Sequence, residues 1–126
     1  MKNDNHVWDN KLPTAQMLGR WQPWHAGHQK LFEEILKKTG QVNIMVRDVK
    51  GVDDNPFDFD TVKKNIFEAL KEYKNRIKVT LVPNITNICY GRGVGYKIEE
   101  IVLDEKTQQI SATKIREQMR KEGKLK

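Results

Sequence analysis

The spacing of apolar residues along the first two thirds of the chain predicts alternating strands and helices. In chain order these are a strand over 14–21, a helix over 28–39, a strand over 42–46, a helix from 60 or 61 to about 73, and a strand over 77–82. The first helix carries apolar residues at helical spacing on one face: Leu31, Phe32, Ile35 and Leu36. Gly40 follows where a C-cap glycine belongs. The nearly continuous apolar character of 42–46 is typical of a parallel strand that is buried on both faces.

The rest of the chain predicts two more strands and a final helix, over residues 85–90, 96–103 and 111–121. Strands that alternate with helices over short connections indicate a parallel sheet covered on both sides. The expected fold is therefore α/β, a Rossmann-like doubly wound parallel sheet of about five strands in a single domain. This domain is expected to span residues 13–121, with a flexible tail at 1–12 and another at 122–126.

The composition fits one small core and argues against membrane and secreted proteins. The chain has 126 residues, of which 37% are apolar and 32% charged, so one domain with a heavily solvated surface is expected. No apolar run approaches the ~18 residues of a membrane span, and the first ten residues carry no apolar signal core. A cytoplasmic protein with no membrane partner is therefore expected. Cys89 is the single cysteine, which excludes an intrachain disulfide and a cysteine-based zinc cluster.

The net charge of +6 raises the question of a nucleic-acid partner. Four of these six net charges fall within residues 111–126, whereas lysines and glutamates alternate in the helix predicted from 60 or 61. Such clustering argues against an extended track along a nucleic-acid backbone, so no nucleic acid is expected as a partner. A nucleic-acid-binding module, supported by the charge and by three tryptophans, is the rival interpretation.

A motif rich in glycine, histidine and tryptophan joins the first predicted strand to the first helix. This first motif is residues 19–28, GRWQPWHAGH. Ligands of open α/β sheets bind at this carboxyl edge, and a helix N-terminus there favours an anion. Gly19 lets a ligand approach the backbone, and Gly27 removes a side chain at the helix start. Because His25 and His28 can each donate a hydrogen bond to a phosphate oxygen, the motif predicts phosphate binding.

Two other interpretations of the first motif have less support. His25 and His28 could hold zinc, but they supply only half of a site, and no third histidine or cysteine lies nearby in the sequence. Trp21 and Trp24 flank the histidines. Packing of their rings onto the core is the favoured interpretation, and stacking on a base or ribose is the alternative.

A second motif, residues 110–116 (ISATKIR), opens the last predicted helix. Ser111 is a good N-cap. Lys114 and Arg116 then place cations near the helix start, where the dipole disfavours them by roughly 0.3–1 kcal/mol each. Such a placement makes sense if an anion lies there, so Arg116 and His28 are expected to point into an open site. A solvated basic face is the alternative.

Together the two motifs resemble the nucleotidylyltransferase superfamily, also called the cytidylyltransferase-like family. His25-Ala26-Gly27-His28 matches its HxGH motif, and residues 110–116 match its ISSTxxR-type motif, except that Ala112 replaces the second serine. The stretch from Gly19 to His25 is similar to the GRFQPFH of archaeal-type nicotinamide mononucleotide adenylyltransferases, which favours ATP. The short chain is closer to glycerol-phosphate-type cytidylyltransferases, which favours CTP, so the base is left open.

The resemblance implies an enzyme that transfers CMP or AMP from an NTP to a phosphate-bearing small molecule and releases pyrophosphate, with Mg²⁺ as cofactor. A nicotinamide mononucleotide adenylyltransferase is the specific alternative, and an inactive nucleotide sensor is less favoured. The implied catalytic residues are His25, His28, Lys114 and Arg116. The implied nucleotide-binding residues are Gly19, Arg20, Trp21, Gln22, Gly27, Arg92, Ser111 and Thr113. No resident metal site made of protein ligands is expected, because the sequence offers no complete set of ligands.

Further candidates follow predicted strands at the same edge of the sheet. Arg47 and Asp48 come after the second strand, where they could meet the acceptor, and Arg92 comes after the fourth. Tight-turn and surface roles are equally supported for each. Asp53, Asp54, Asp58 and Asp60 suggest metal binding, but a polar loop with a helix cap is favoured. An apolar sheet edge also makes a homodimer an option.

Overall fold

The strands and helices alternate as the apolar spacing predicts as far as residue 82. They are β1 (Ala15–Gly19), α1 (Ala26–Thr39), β2 (Val42–Arg47), α2 (Phe59–Ala69), a 3₁₀ helix (Lys71–Arg76), β3 (Ile77–Val82), α3 (Glu105–Gln108) and α4 (Ala112–Lys121). This computed structural model describes residues 5–93 and 95–125. Of the predicted tails, residues 1–4 and 126 lie outside these ranges.

The expected five-stranded doubly wound sheet is wrong. The described residues form one sheet of three parallel strands in the order β1–β2–β3. The strands predicted over 85–90 and 96–103 are absent from the described part of the chain, and α3 is a short helix that the apolar pattern did not predict. Apolar alternation stabilises a strand only where one face is buried, yet Ile88 and Ile98 are 60% and 59% exposed. The glycines between these two segments disfavour an extended conformation further.

The core lies between the sheet and the apolar faces of α1 and α2. Its most deeply buried side chains are Phe32 and Leu36 of α1, Val42, Ile44 and Val46 of β2, Val62 and Ile66 of α2, and Leu70. The central strand β2 is not buried on both faces as expected. Its buried residues alternate with half-buried ones: Asn43, Met45 and Arg47. Among the described residues, no helix is long and apolar enough to cross a membrane.

The parallel register brings the predicted ligand edge together. Gly19 pairs with Val46, and Arg47 pairs with Val82, so the carboxyl ends of all three strands meet at one edge. The first motif leaves β1 there and enters α1. The loop over residues 48–58, named here the aspartate loop, leaves β2 at the same edge and enters α2. This edge therefore carries the candidate site.

Candidate functional site

The two histidines of the first motif form the N-terminal cap of α1. His25 is the N-cap residue, with an extended backbone at φ −141° and ψ −179°. Its Nδ1 accepts hydrogen bonds from the backbone N–H of Gly27 at 3.0 Å and of His28 at 3.4 Å. In return, His28 Nδ1 accepts from the backbone N–H of His25 at 3.1 Å. The spacing of the two histidines thus builds a capping box from two imidazoles.

This cap fixes the tautomer of both rings. A neutral imidazole whose Nδ1 accepts a hydrogen bond carries its proton on Nε2. The rings are stacked, with centroids 3.6 Å apart and planes 17° from parallel. Neither Nε2 donates to another described residue. The helix start therefore presents two Nε2–H donors side by side, whereas two of the helix amides, expected to bind phosphate, are already bonded to His25.

Both imidazoles are neutral at neutral pH. Burial lowers the pKa of His25. Burial first, and then the charge of His25, lowers the pKa of His28 to about 3. Two imidazolium rings stacked this closely would also repel each other. The pair therefore donates hydrogen bonds without carrying a positive charge.

The low pKa of His28 predicts an acid-sensitive fold. On acidification the unfolded chain takes up a proton near pH 6.5, whereas the folded chain does so only near pH 3, so stability falls through this window. His28 alone should cost about 2 kcal/mol of unfolding free energy between pH 7 and pH 5. Urea unfolding at several pH values measures the slope, which should be shallower in His28→Gln than in the wild type. Equal slopes in the two proteins would contradict a neutral His28.

Two tryptophans of the first motif surround His28, and the packing interpretation is confirmed for both. Trp21 and Trp24 are 5% and 9% exposed. Their rings lie 4.7 Å and 5.5 Å from the His28 ring, centroid to centroid. Trp21 Nε1 also donates to the carbonyl of Met45 on β2 at 3.2 Å. The tryptophans thus bury one side of His28 and hold the loop against the sheet.

The glycines of the first motif make room for these rings. A Cβ on Gly19 would lie 2.6–2.8 Å from ring atoms of Trp21. One on Gly27 would lie 2.9 Å from His25 Cε1 and 3.1 Å from its Nδ1. The close approach predicted at Gly19 is therefore made by the ring of Trp21, and the missing side chain at Gly27 makes room for the ring of His25.

A methyl group at Gly19 should disturb the Trp21 ring. The ring is buried and bonded to Met45, so it has little room to move, and overpacking of this kind costs about 1–3 kcal/mol. We expect Gly19→Ala to lower the unfolding free energy by that amount and to shift the tryptophan emission to the red. Gly91→Ala is the matched control, because nothing lies within 4 Å of a Cβ there. A Gly19→Ala variant as stable as Gly91→Ala would refute the packing role.

The second motif opens α4 as predicted. Ser111 is the N-cap residue, and its hydroxyl accepts from the backbone N–H of Lys114 at 3.4 Å. The side chains of Lys114 and Thr113 are exposed. Just before this motif, α3 lies against the start of α1, since the carbonyl of Thr107 is 3.6 Å from a Cβ built on Gly27. The second motif therefore follows a segment that contacts the first.

Arg116 joins the two motifs, but not as an open side chain. The expectation that it points into an open site is wrong, because it is 8% exposed. Its Nη1 donates to the carbonyl of Gln22 at 2.6 Å, its Nε to Asp54 at 2.9 Å and its Nη2 to Thr113 at 3.3 Å. The helix therefore holds its cation through hydrogen bonds to neighbouring segments, and only part of the guanidinium remains for a ligand.

Gln22 completes the connection between the first motif and the aspartate loop. Its side chain donates to the carbonyl of Phe57 at 2.9 Å and accepts from the Phe57 N–H at 2.8 Å. Gln22 is 4% exposed, so both of its side-chain polar groups are used within the fold. Sequence reasoning assigned it to the nucleotide, whereas the structure gives it a bridging position.

The remaining candidates lie at different places. Arg20 is exposed just after β1. Arg47 ends β2 and donates from Nη2 to Asn84 at 2.7 Å, while its buried Nε has no partner among the described residues. Asp48 follows with an exposed side chain. Arg92 does not follow a strand, because the predicted fourth strand is absent from the described residues, and it lies exposed in an irregular segment.

The histidine pair does not suit a metal ion. Both Nδ1 atoms accept backbone hydrogen bonds, and both Nε2 atoms then carry protons, so neither ring offers a free lone pair. No group of three or more histidine, cysteine, aspartate or glutamate side chains that could hold a metal occurs in residues 5–93 and 95–125. In the aspartate loop, Asp58 caps α2 by accepting from the Thr61 N–H at 2.9 Å, as a polar loop with a helix cap predicts.

Sequence reasoning considered Asp54 only as a candidate metal ligand and missed its contact with α4. Its carboxylate binds Arg116 and Arg120 of α4, and hydrogen bonds from Arg120 and then Arg116 lower the pKa of Asp54 to about 2. Asp54 and Arg116 are 62 residues apart in the chain, and no local pattern links them.

A scan of known protein families finds no family that matches this chain, and a search of curated proteins finds no relative.

Proposed function

We propose that this protein is a nucleotidylyltransferase that transfers CMP or AMP from an NTP to a phosphate-bearing small molecule and releases pyrophosphate. One observation carries the proposal. Two stacked, neutral imidazoles present Nε2–H donors at the carboxyl edge of the sheet. They lie in the same loop as Gln22, whose backbone carbonyl accepts a hydrogen bond from Arg116. Polyphosphate is the ligand that such a set of donors and cations suits best. The use of nucleoside triphosphates supports a cytoplasmic location.

The proposed reaction is a direct in-line displacement. An oxygen of the acceptor phosphate attacks the α-phosphorus of the NTP, and the bond from that phosphorus to the bridging oxygen of the β-phosphate breaks. The electron pair leaves with pyrophosphate. Since the acceptor phosphate is already ionised at neutral pH, no protein nucleophile or general base is required, and catalysis consists of alignment and charge stabilisation.

The neutral histidines have the chemistry that this step needs. A donor fixed by the fold stabilises the charge that builds on the α-phosphate oxygens without having to reorganise. The Nε2–H of His28 is fixed by the capping box and by the two tryptophan rings, and it is assigned to the α-phosphate. His25 beside it is assigned to orient the phosphate chain. The Nε2–H groups act as hydrogen-bond donors in every step and are not required to give up a proton.

The cations are assigned to the departing pyrophosphate. Lys114 and Arg20 are exposed, so their ammonium and guanidinium groups are free to move towards the β- and γ-phosphates. Ser111 and Thr113 lie at the start of α4, where hydroxyl and backbone groups can bind phosphate oxygens. Arg47 and Asp48 at the end of β2 are assigned to the acceptor.

Mg²⁺ enters the reaction as part of the substrate, bound to the triphosphate. It binds chiefly through phosphate oxygens and water, with one or two carboxylates, and does not need a protein cage. This suits a site whose described residues offer donors and cations instead of a cluster of carboxylates. Turnover should therefore require Mg²⁺, whereas the purified protein should carry no stoichiometric zinc, which elemental analysis measures.

Pyrophosphate release tests the proposal directly. Each of the four NTPs is incubated with Mg²⁺ and a panel of phosphomonoesters that includes nicotinamide mononucleotide and glycerol phosphate. We expect release with ATP or CTP in the presence of one acceptor class and none without acceptor. Oligonucleotide binding is measured beside it at several salt concentrations. Salt-sensitive oligonucleotide binding without any pyrophosphate release would favour the nucleic-acid-binding module instead.

A further inference from the structure

Asp54 lies between the aspartate loop and α4 and binds two arginines of that helix. Its Oδ2 accepts from Arg116 Nε at 2.9 Å and from Arg120 Nη1 at 3.3 Å, while its Oδ1 accepts from Arg120 Nη2 at 2.6 Å. Arg116 and Arg120 are one helical turn apart, so a single carboxylate bridges both side chains on one face of α4. The contact ties the helix of the second motif to the loop that leaves β2.

The three contacts of Arg116 fix the plane and the direction of its guanidinium. Asp54 holds Nε, Gln22 holds Nη1 and Thr113 holds Nη2, so each nitrogen is bonded to a different part of the fold. A guanidinium has five N–H groups. Three are used here by described residues, which leaves one N–H on each terminal nitrogen for a ligand.

The contact between Asp54 and Arg116 is better suited to orientation than to stability. The side chain of Arg116 is 10% exposed, but that of Asp54 is 45% exposed. An ion pair with one partner so accessible to water contributes little to folding, because solvent screens it. It still fixes geometry, since a charge-assisted hydrogen bond is directional and Nε is the nitrogen nearest to the aliphatic stem.

We infer that Asp54 is a positioning residue, which holds the guanidinium of Arg116 so that its two remaining N–H groups meet the triphosphate. The inference rests on the proposed function. Asp54 itself does not touch the nucleotide. Its carboxylate also neutralises one of the two positive charges of Arg116 and Arg120. The affinity for the triphosphate therefore depends on the direction of the Arg116 donors and not only on the charge of α4.

The test compares Asp54→Asn with Asp53→Asn. An asparagine side chain has the shape of aspartate without its charge, so in Asp54→Asn the Nε contact weakens and the guanidinium loses its orientation. Asp53 is the adjacent exposed residue, with φ at 50°, a conformation that asparagine tolerates well, so its variant makes the same charge change without touching Arg116. Affinities for MgATP, MgCTP and inorganic tripolyphosphate are measured by calorimetry, well below the unfolding midpoint.

We expect Asp54→Asn to weaken binding of the probes that the wild type binds by about tenfold and Asp53→Asn to leave it within about twofold. Asp54→Glu keeps the charge on a longer stem and should restore part of the affinity. If Asp54→Asn does not fold, Asp54→Glu carries the test, because its displaced carboxylate should still weaken binding several-fold.

The outcomes separate this inference from the proposed function. A lower unfolding midpoint in Asp54→Asn together with wild-type affinity would mean a purely structural contact and would overturn the inference alone. Equal loss of affinity in Asp53→Asn would overturn it too, because the loss of a negative charge should by itself strengthen the binding of an anion, and a loss at both positions would point to a general disturbance of the aspartate loop. A wild-type protein that binds none of the three probes would overturn the proposed function, and the inference with it.

Discussion

His28→Ala is expected to lower kcat by roughly 10²–10³, as for the loss of one preorganised donor to the transition state. The KM for the NTP should change much less, because the other phosphate contacts are made in the ground state as well. The expected loss lies in kcat because the Nε2–H of His28 is held by a capping bond to the His25 backbone and by two tryptophan rings. Steady-state kinetics of pyrophosphate release measure both parameters.

The fold must be monitored in the same variant, because His28 is also packed. Its ring lies 4.7 Å from that of Trp21, so truncation leaves a space beside it. A stability loss of about 1–3 kcal/mol is expected from this alone, and kinetics are therefore run well below the unfolding midpoint. His6→Ala is the matched control. His6 bonds to Gln41 before β2, at the opposite end of the sheet, so its kcat should equal that of the wild type. A near-normal kcat in His28→Ala would remove the histidine from the mechanism.

The part of the fold that local spacing determines could be predicted from the sequence. The apolar stripe of α1 and the apolar run of β2 are each formed by residues that are only a few positions apart in the chain. β3 begins and ends where predicted. The strands expected over 85–90 and 96–103 could not be judged in this way, because pairing depends on a partner strand far along the chain. An alternating pattern predicts which side chains face the core, but it does not identify the strand with which the segment pairs.

The candidate site, too, could be predicted only where it depends on residues that are close together in the chain. Two histidines at a helix start follow from the sequence, whereas their capping box depends on how each ring turns back onto the backbone. The sequence likewise indicates that Gly19 is needed for a close approach, but not that Trp21 is what approaches. The contact between Asp54 and Arg116 could not be found, since the two residues are 62 positions apart in the chain and only the fold brings them together.

Arg116→Ala is expected to lower the unfolding free energy by about 1–3 kcal/mol, the cost of leaving one buried acceptor without its donor. The change would leave the buried carbonyl of Gln22 without its 2.6 Å donor and would free α4 from the first motif, whereas Arg120 would still bind Asp54 of the aspartate loop. Removal of the cation also has a stabilising effect, because a positive charge near a helix start is unfavourable. That effect is smaller, about 0.3–1 kcal/mol. Loss of the buried hydrogen bonds outweighs this relief of charge, so the variant should be destabilised. Binding of MgNTP should weaken as well.

Lys114→Ala separates these two effects on the same helix. Lys114 is exposed in the first turn of α4, and its side chain makes no hydrogen bond or ion pair with the described residues. Its removal relieves the same unfavourable charge without breaking a network, so its unfolding free energy should equal or slightly exceed that of the wild type. Urea unfolding of both variants at pH 7, each without ligand, measures the difference. If Arg116→Ala were as stable as Lys114→Ala, the buried contacts of Arg116 would contribute nothing to the fold, and its role would lie in phosphate binding alone.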